Sequence, residues 1–214
     1  MVKRRRNLLI AILTAAVLWF WMFSPWTKGL TNFWVVMMCA AAILTTLAIS
    51  FTPREERRFT IEKPWLQLLG GIVLAFALWG IFWVGDKVSQ RLFDFARPEV
   101  DAVYSMKTGL PVWLIGLLLL LVIGPAEEFF WRGYVQKNLS QIFGGKRAAD
   151  CAFITTAIIY ALVHIWSFNF MLIMAALVAG LVWGLVYRLW PKALPALIVS
   201  HAVWDLLVFV LLPI

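Results

Sequence analysis

The 214-residue sequence predicts an all-α, polytopic integral membrane bundle of about seven transmembrane helices, and three observations predict it. Apolar residues make up 63% of the chain against 14% charged, with a mean hydropathy of +0.88, far from the roughly one-quarter charge of soluble domains. Apolar runs of about 20 residues, the length that crosses a bilayer, recur along the whole chain with short polar connections. Many of the thirteen tryptophans (Trp19, Trp21, Trp26, Trp65, Trp83, Trp166 and Trp190 among them) fall near the ends of those runs, where an amphipathic ring favours the headgroup layer.

Taken in order, the first span is Leu8 to Phe23, preceded by Lys3-Arg4-Arg5-Arg6. That order of charge and apolar run is that of a secretory signal. The closing Phe23-Ser24-Pro25-Trp26 lacks a small-x-small cleavage site, so the span is read as uncleaved. The later spans are Leu30 to Phe51, Trp65 to Gly85, Leu110 into the region of Lys137, Cys151 to Trp166, Phe170 to Tyr187 and Ala193 to Leu212. Asp86 to Gly109 mixes Leu92, Phe93, Phe95, Val100, Val103 and Tyr104 with eight charges and is expected to lie along the outer interface as a short amphipathic helix. Gln136 to Asp150 is expected to do the same inside, broken at Gly144-Gly145, and Arg54-Glu55-Glu56-Arg57-Arg58 reads as a solvated loop. Pro191 and Pro195 mark helix boundaries.

Under strict alternation with the N-terminus inside, cytoplasmic segments hold fourteen Lys and Arg, with Arg132 counted among them, and outer segments five. The bias places the N-terminus in the cytoplasm and the C-terminus outside; a bacterial or archaeal cell membrane is the expected location, in keeping with the resemblance given below. The net charge of +8 raises nucleic acid as a partner. The basic residues lie between apolar runs instead of in a stripe with interleaved aromatics, so they read as membrane anchors and no nucleic-acid partner is expected. Cys39 and Cys151 are isolated thiols without a C-x-x-C spacing, which indicates neither a disulfide framework nor a thiolate metal site. The division expected is one membrane domain, with N-terminal helices and an interfacial loop over 1–109 and, over 110–214, a transmembrane core that holds the candidate catalytic residues taken up next.

Charged side chains at mid-membrane cost about 2.5–3.5 kcal/mol each on insertion scales, so each demands a partner or a hydrated cavity. Gly124-Pro125-Ala126-Glu127-Glu128-Phe129-Phe130-Trp131-Arg132-Gly133 carries three such charges just after a Gly-Pro break. Glu128 and Arg132 stand four apart with the acid first, the better order for a helical ion pair. Glu127 turns about 100° away from Glu128, so one carboxylate is free to face something else. His164 closes an apolar stretch with Tyr160 one turn earlier, and His201 and Asp205 are four apart on one face of the last span. Measured from Lys137, Asp150 and Lys192 as helix ends, Glu127, His164 and His201 lie roughly 15, 21 and 13 Å deep at about 1.5 Å per residue. Three helices can therefore bring them to one level. A single Glu/Arg pair or a lone His in such a span is more often packing glue. Here both histidines of the chain fall at compatible depth with three carboxylates, which favours a functional site. Gly180 and Gly184, a Gly-x-x-x-Gly with Ala175, Ala176 and Ala179 nearby, indicate close helix packing and no more.

Glu127-Glu128-x-x-x-Arg132, Tyr160-x-x-x-His164 and His201-x-x-x-Asp205 together resemble the three-motif signature of the CPBP intramembrane endopeptidases. That family takes in type II CAAX-prenyl proteases and bacteriocin-processing or immunity proteins of bacteria. The resemblance runs over about residues 110 to 210. The second motif usually begins with Phe where this chain has Tyr160, and the CAAX branch typically ends the third with Asn where this chain has Asp205. That difference points to a bacterial role more than to a prenylated CAAX substrate.

The resemblance implies hydrolysis of a membrane-embedded or lipidated peptide within the bilayer. Glu127 and His164 would hold and deprotonate a water, with Glu127 the principal base, and His201 would donate to the oxyanion. Asp205 would either orient the His201 tautomer or stay protonated, and Glu128 with Arg132 would be a supporting pair beside Tyr160. No cofactor is expected. Two histidines and a carboxylate leave zinc as the mechanistic alternative, although the His-Glu-x-x-His pattern is absent. A non-enzymatic immunity or peptide-binding protein and a proton-coupled transporter are the readings from other classes.

Overall fold

The structure, a computed structural model, describes residues 1–57 and 61–214. Arg58, the last residue of the charged run expected to be a loop, lies outside the described residues. Among the described residues the regular structure is all helix, with no strand, and seven helices are long and apolar enough to cross a membrane. These are α1 (Val2–Phe23), α2 (Phe33–Phe51), α3 (Pro64–Leu92), α5 (Val112–Phe143), α6 (Ala148–Ser167), α7 (Phe170–Leu189) and α8 (Pro191–Leu211). A short helix, α4 (Ala96–Tyr104), lies between α3 and α5. Their outward faces expose Val17, Phe76, Leu121 and Ile158, the surface that a bilayer covers for an integral membrane protein.

Two elements run further than their apolar stretches. α3 continues beyond Gly85 to Leu92, past Asp86, the charge that ends the apolar run, one of whose carboxylate oxygens is bonded within the helix while Oδ1 is buried without a partner among the described residues. The bonded oxygen, Oδ2, accepts from Gln90 at 2.6 Å and from Lys87 at 3.2 Å. α4 does form in the expected interfacial stretch, and it is docked as well: Glu99 accepts the backbone N–H of Met171 at 2.8 Å, at the otherwise unsatisfied start of α7.

α5 carries the site and is not a uniform helix. It has π geometry over Leu119–Ile123 and again over Phe129–Gln136, with α-helical turns at Gly124–Glu128 between them. Pro125 lacks an N–H and its ring would strike the carbonyl four residues back, so the preceding turn widens to admit it. Beyond Lys137 the helix continues to Phe143, where the expectation was a separate interfacial segment. It stops at Gly144 and Gly145, whose φ of 61° and 77° favour glycine.

The spans meet through small residues. α3 packs along α8, and α6 along α7, where Gly180 and Gly184 face Tyr160 and Phe153. Two approaches to α8 leave no room for a side chain: a Cβ on Gly71 of α3 would stand 2.5 Å from the Ala196 carbonyl oxygen, and one on Gly124 of α5 would stand 2.8 Å from the Ala202 Cα. Of the tryptophans expected at the interface, Trp21, Trp26, Trp65, Trp83, Trp166 and Trp190 are exposed. Trp19 is a correction, being 1% exposed, because α1 turns that face inward against α6.

At the end of the bundle that holds the N-terminus of α1, Glu56 ties three elements together, so this part of the expected solvated loop is a contact. It accepts Arg4 of α1 at 2.6 Å and Lys137 of α5 at 3.2 Å, while Arg4 also donates to Asn138 at 2.9 Å. Partial burial works against the charged form of Glu56. The hydrogen bonds from Arg4 and Lys137 outweigh it and hold the carboxyl below its ordinary value of 4.5.

Two outcomes follow from this packing. Gly124→Ala forces backbone against backbone and is expected to destabilise by about 1–3 kcal/mol, whereas Gly80→Ala, with open space around it, is neutral or stabilising; thermal unfolding in detergent compares them. Because the folded value of Glu56 is depressed, its stabilisation is complete above pH 4.5 and is lost as pH falls through the lower folded value. The Tm gap between wild type and Glu56→Gln should be constant above about pH 5 and close on further acidification.

Candidate active site

Glu127 and Glu128 are brought to α8 by the Gly124–Ala202 contact, and they diverge as a 100° step requires. Glu128 points into the bundle and is fully buried together with Arg132. Its Oε1 accepts Arg132 Nη1 at 2.7 Å and lies 3.0 Å from His201 Nδ1, which donates to it. Arg132 Nη2 also reaches the Gly180 carbonyl at 3.4 Å, and its guanidinium lies over the rings of Tyr160 and Trp183 at 5.1 and 5.5 Å. Trp183 in turn stacks on His201 with ring centroids 4.0 Å apart, and is held by a hydrogen bond from its indole N–H to Ser200 Oγ.

His201 is thus fixed on one nitrogen by Glu128 and on its face by Trp183. Its Nε2 lies 3.6 Å from Asp205 Oδ2, too long for a hydrogen bond. The carboxylate that orients the ring is therefore Glu128, and Asp205 stands at the opposite nitrogen. The i,i+4 spacing of Glu128 and Arg132 had hidden this, because a carboxylate has about four acceptor sites and one ion pair does not exhaust them.

Glu127 faces the other way. Its Oε2 accepts the Tyr160 hydroxyl at 2.9 Å, the one hydrogen bond to the Glu127 side chain among the described residues. His164, one turn beyond Tyr160, has Nδ1 at 2.8 Å from the Tyr160 carbonyl. Its Nε2 accepts the indole N–H of Trp19 at 3.1 Å. Trp19 comes from the first span, and sequence reasoning missed it by grouping it with the interface tryptophans.

Glu127, Tyr160, His164, His201 and Asp205 all line one cavity of about 430 Å³. Its remaining wall is mostly apolar, with Phe33, Trp34, Ile123 and Leu172 among the residues, and it extends to Asp86 and Tyr104 toward the α3–α4 end. Glu128 and Arg132 are not on the wall and lie behind it. Chemically the cavity offers one carboxylate oxygen without a protein partner, an imidazole nitrogen beside a second carboxylate, and apolar surface around both. Among the described residues no group of three or more His, Cys, Asp or Glu side chains has the geometry to hold a metal ion.

Residues 109–207 match the family described as Type II CAAX prenyl endopeptidase Rce1-like. The matched segment holds all three motifs, bears out the resemblance to CPBP endopeptidases and points to a protease. No curated protein and no solved structure matches the chain.

Removing Glu128 leaves Arg132 charged and buried without its carboxylate. Glu128→Ala should cost about 3–5 kcal/mol of stability. Adding Arg132→Met to it should restore most of that loss in the same unfolding assay.

Proposed function

We propose that this chain, whose residues 109–207 carry the Type II CAAX prenyl endopeptidase match, is a glutamic-type intramembrane endopeptidase that cuts a membrane-associated or lipidated peptide. The observation that carries the reading is the convergence of Glu127, His164, His201 and Asp205, from three helices, on one cavity inside an apolar bundle. Glu127 is the base. Tyr160 occupies Oε2, leaving Oε1 to take a proton from a water as that water's oxygen attacks the scissile carbonyl carbon.

The oxyanion so formed needs a donor already in place. His201 supplies it from Nε2 as the imidazolium, with a proton on each nitrogen: Nδ1–H is anchored on Glu128, and Nε2–H lies beside Asp205 and is the one that meets the oxyanion. Collapse of the tetrahedral intermediate breaks the C–N bond, and Glu127 returns its proton to the departing amine. Asp205 adds charge beside His201 and does not set its tautomer. Glu128 and Arg132 hold His201 from behind. The apolar wall receives the substrate's apolar segment, and Asp205 in place of Asn favours a bacterial leader or sorting peptide over a prenylated CAAX terminus.

The chemistry of the donor set supports a metal-free mechanism over zinc. Both ring nitrogens of His164 are already engaged by protein groups, so zinc would have to displace Trp19 to gain a second imidazole.

Glu127→Gln is expected to lower kcat by about 10²- to 10⁴-fold, the usual size of general-base loss. Uncut peptides should accumulate in a Glu127→Ala strain, as read by mass spectrometry. An unchanged peptide profile would refute hydrolysis, and activity lost to chelation and restored by zinc would refute the glutamic mechanism.

A further inference from the structure

We propose that Trp19, on the first transmembrane helix and outside the family-matched segment, is a positioning residue of the site. Its indole N–H takes the Nε2 lone pair of His164 and fixes that ring as the Nδ1–H tautomer, so His164 lines the cavity with no free nitrogen and the proton chemistry falls to Glu127 and His201. The hydrogen-bond chemistry admits no other assignment. An indole N–H only donates, so His164 Nε2 at 3.1 Å must accept. A backbone carbonyl only accepts, so His164 Nδ1 at 2.8 Å from the Tyr160 oxygen must carry the proton.

The packing holds this arrangement on more than one side. Trp19 and His164 are both buried. The Trp19 ring meets His164 edge-on at 5.9 Å and Trp131 edge-on at 6.2 Å, and Phe23, one turn further along α1, lies 5.5 Å from His164. The consequence reaches the base. Trp19 donates to His164, His164 donates to the Tyr160 carbonyl, and the Tyr160 hydroxyl donates to Glu127 Oε2. The first two bonds fix the Tyr160 backbone within α6 and the third leaves from its ring toward α5, so Tyr160 itself joins the first helix to the carboxylate. The kinetic consequence rests on the hydrolase reading; the tautomer does not.

The chain has two histidines, so ring-¹⁵N spectra of the histidine-labelled protein in detergent contain only two side chains to assign. Wild type should show one ring with a bare Nε2 and a protonated Nδ1. Trp19→Phe, which keeps an aromatic ring and removes the N–H, should shift that Nε2 and mix the tautomers. It should lower kcat about tenfold, the kinetic equivalent of one hydrogen bond, with KM within about twofold. Tyr160→Phe should do the same, and because the two act through one chain the double variant should be no worse than about the worse single.

A wild-type His164 protonated on Nε2 would overturn the assignment even if every variant misfolded. So would an unchanged His164 spectrum in Trp19→Phe, a rise in kcat, or losses that multiply. Failure of the hydrolase reading shows separately, as unaltered processing in the Glu127→Ala strain, and the ¹⁵N spectra then still decide the role of Trp19.

Discussion

The fully buried Glu128–Arg132 pair is the interaction on which the rest of the site depends. Hydrocarbon offers no water to share a charge with, so each ionised group must be matched by another within the protein. Glu128 answers Arg132 and, with the same oxygen, His201. A pair on one helix thereby reaches across to another and sets the direction of an imidazole. Arg132 extends the tie to α7 through the Gly180 carbonyl, so that α5, α7 and α8 are joined by one polar cluster where apolar packing alone has little directional preference.

That cluster requires close backbone approach and a particular phase of α5. The approach is provided by Gly124 against Ala202. The phase follows from the π segments on either side of the Glu127–Glu128 turn. A wider turn rotates the residues after it relative to an unbroken α-helix, so a proline that would break a soluble helix here re-aims two adjacent carboxylates. One is turned to the interior and one to the cavity. Adjacent acids with opposite environments suit the hydrolysis proposed above, in which one stays paired while the other exchanges a proton.

The first helix belongs to this arrangement although the family match begins at residue 109. α1 is held at its N-terminal end by Arg4 on Glu56 and Asn138, and near its C-terminal end Trp19 meets His164. A bundle in which an N-terminal span closes over one histidine leaves the second, backed by Glu128 and Trp183, as the ring with a nitrogen toward the cavity.

The sequence alone determined the fold class, the number of spans and the three motifs. Each depends on a short-range signal: apolar run length, the penalty on charge in lipid, and i,i+4 spacing, which survives in any helix. It also separated Glu127 from Glu128, because helical rotation between neighbours is local. Which groups meet across helices was decided only by the tertiary structure. Nothing in the order of residues showed that Glu128, not Asp205, holds the His201 Nδ1, that Trp19 is a core residue instead of an interface anchor, or that α3 continues past Asp86. Those facts rest on the rotation of each helix about its axis and on hydrogen bonds between residues as far apart as 19 and 164, and a polar side chain's partner in a membrane is set by which faces are pressed together.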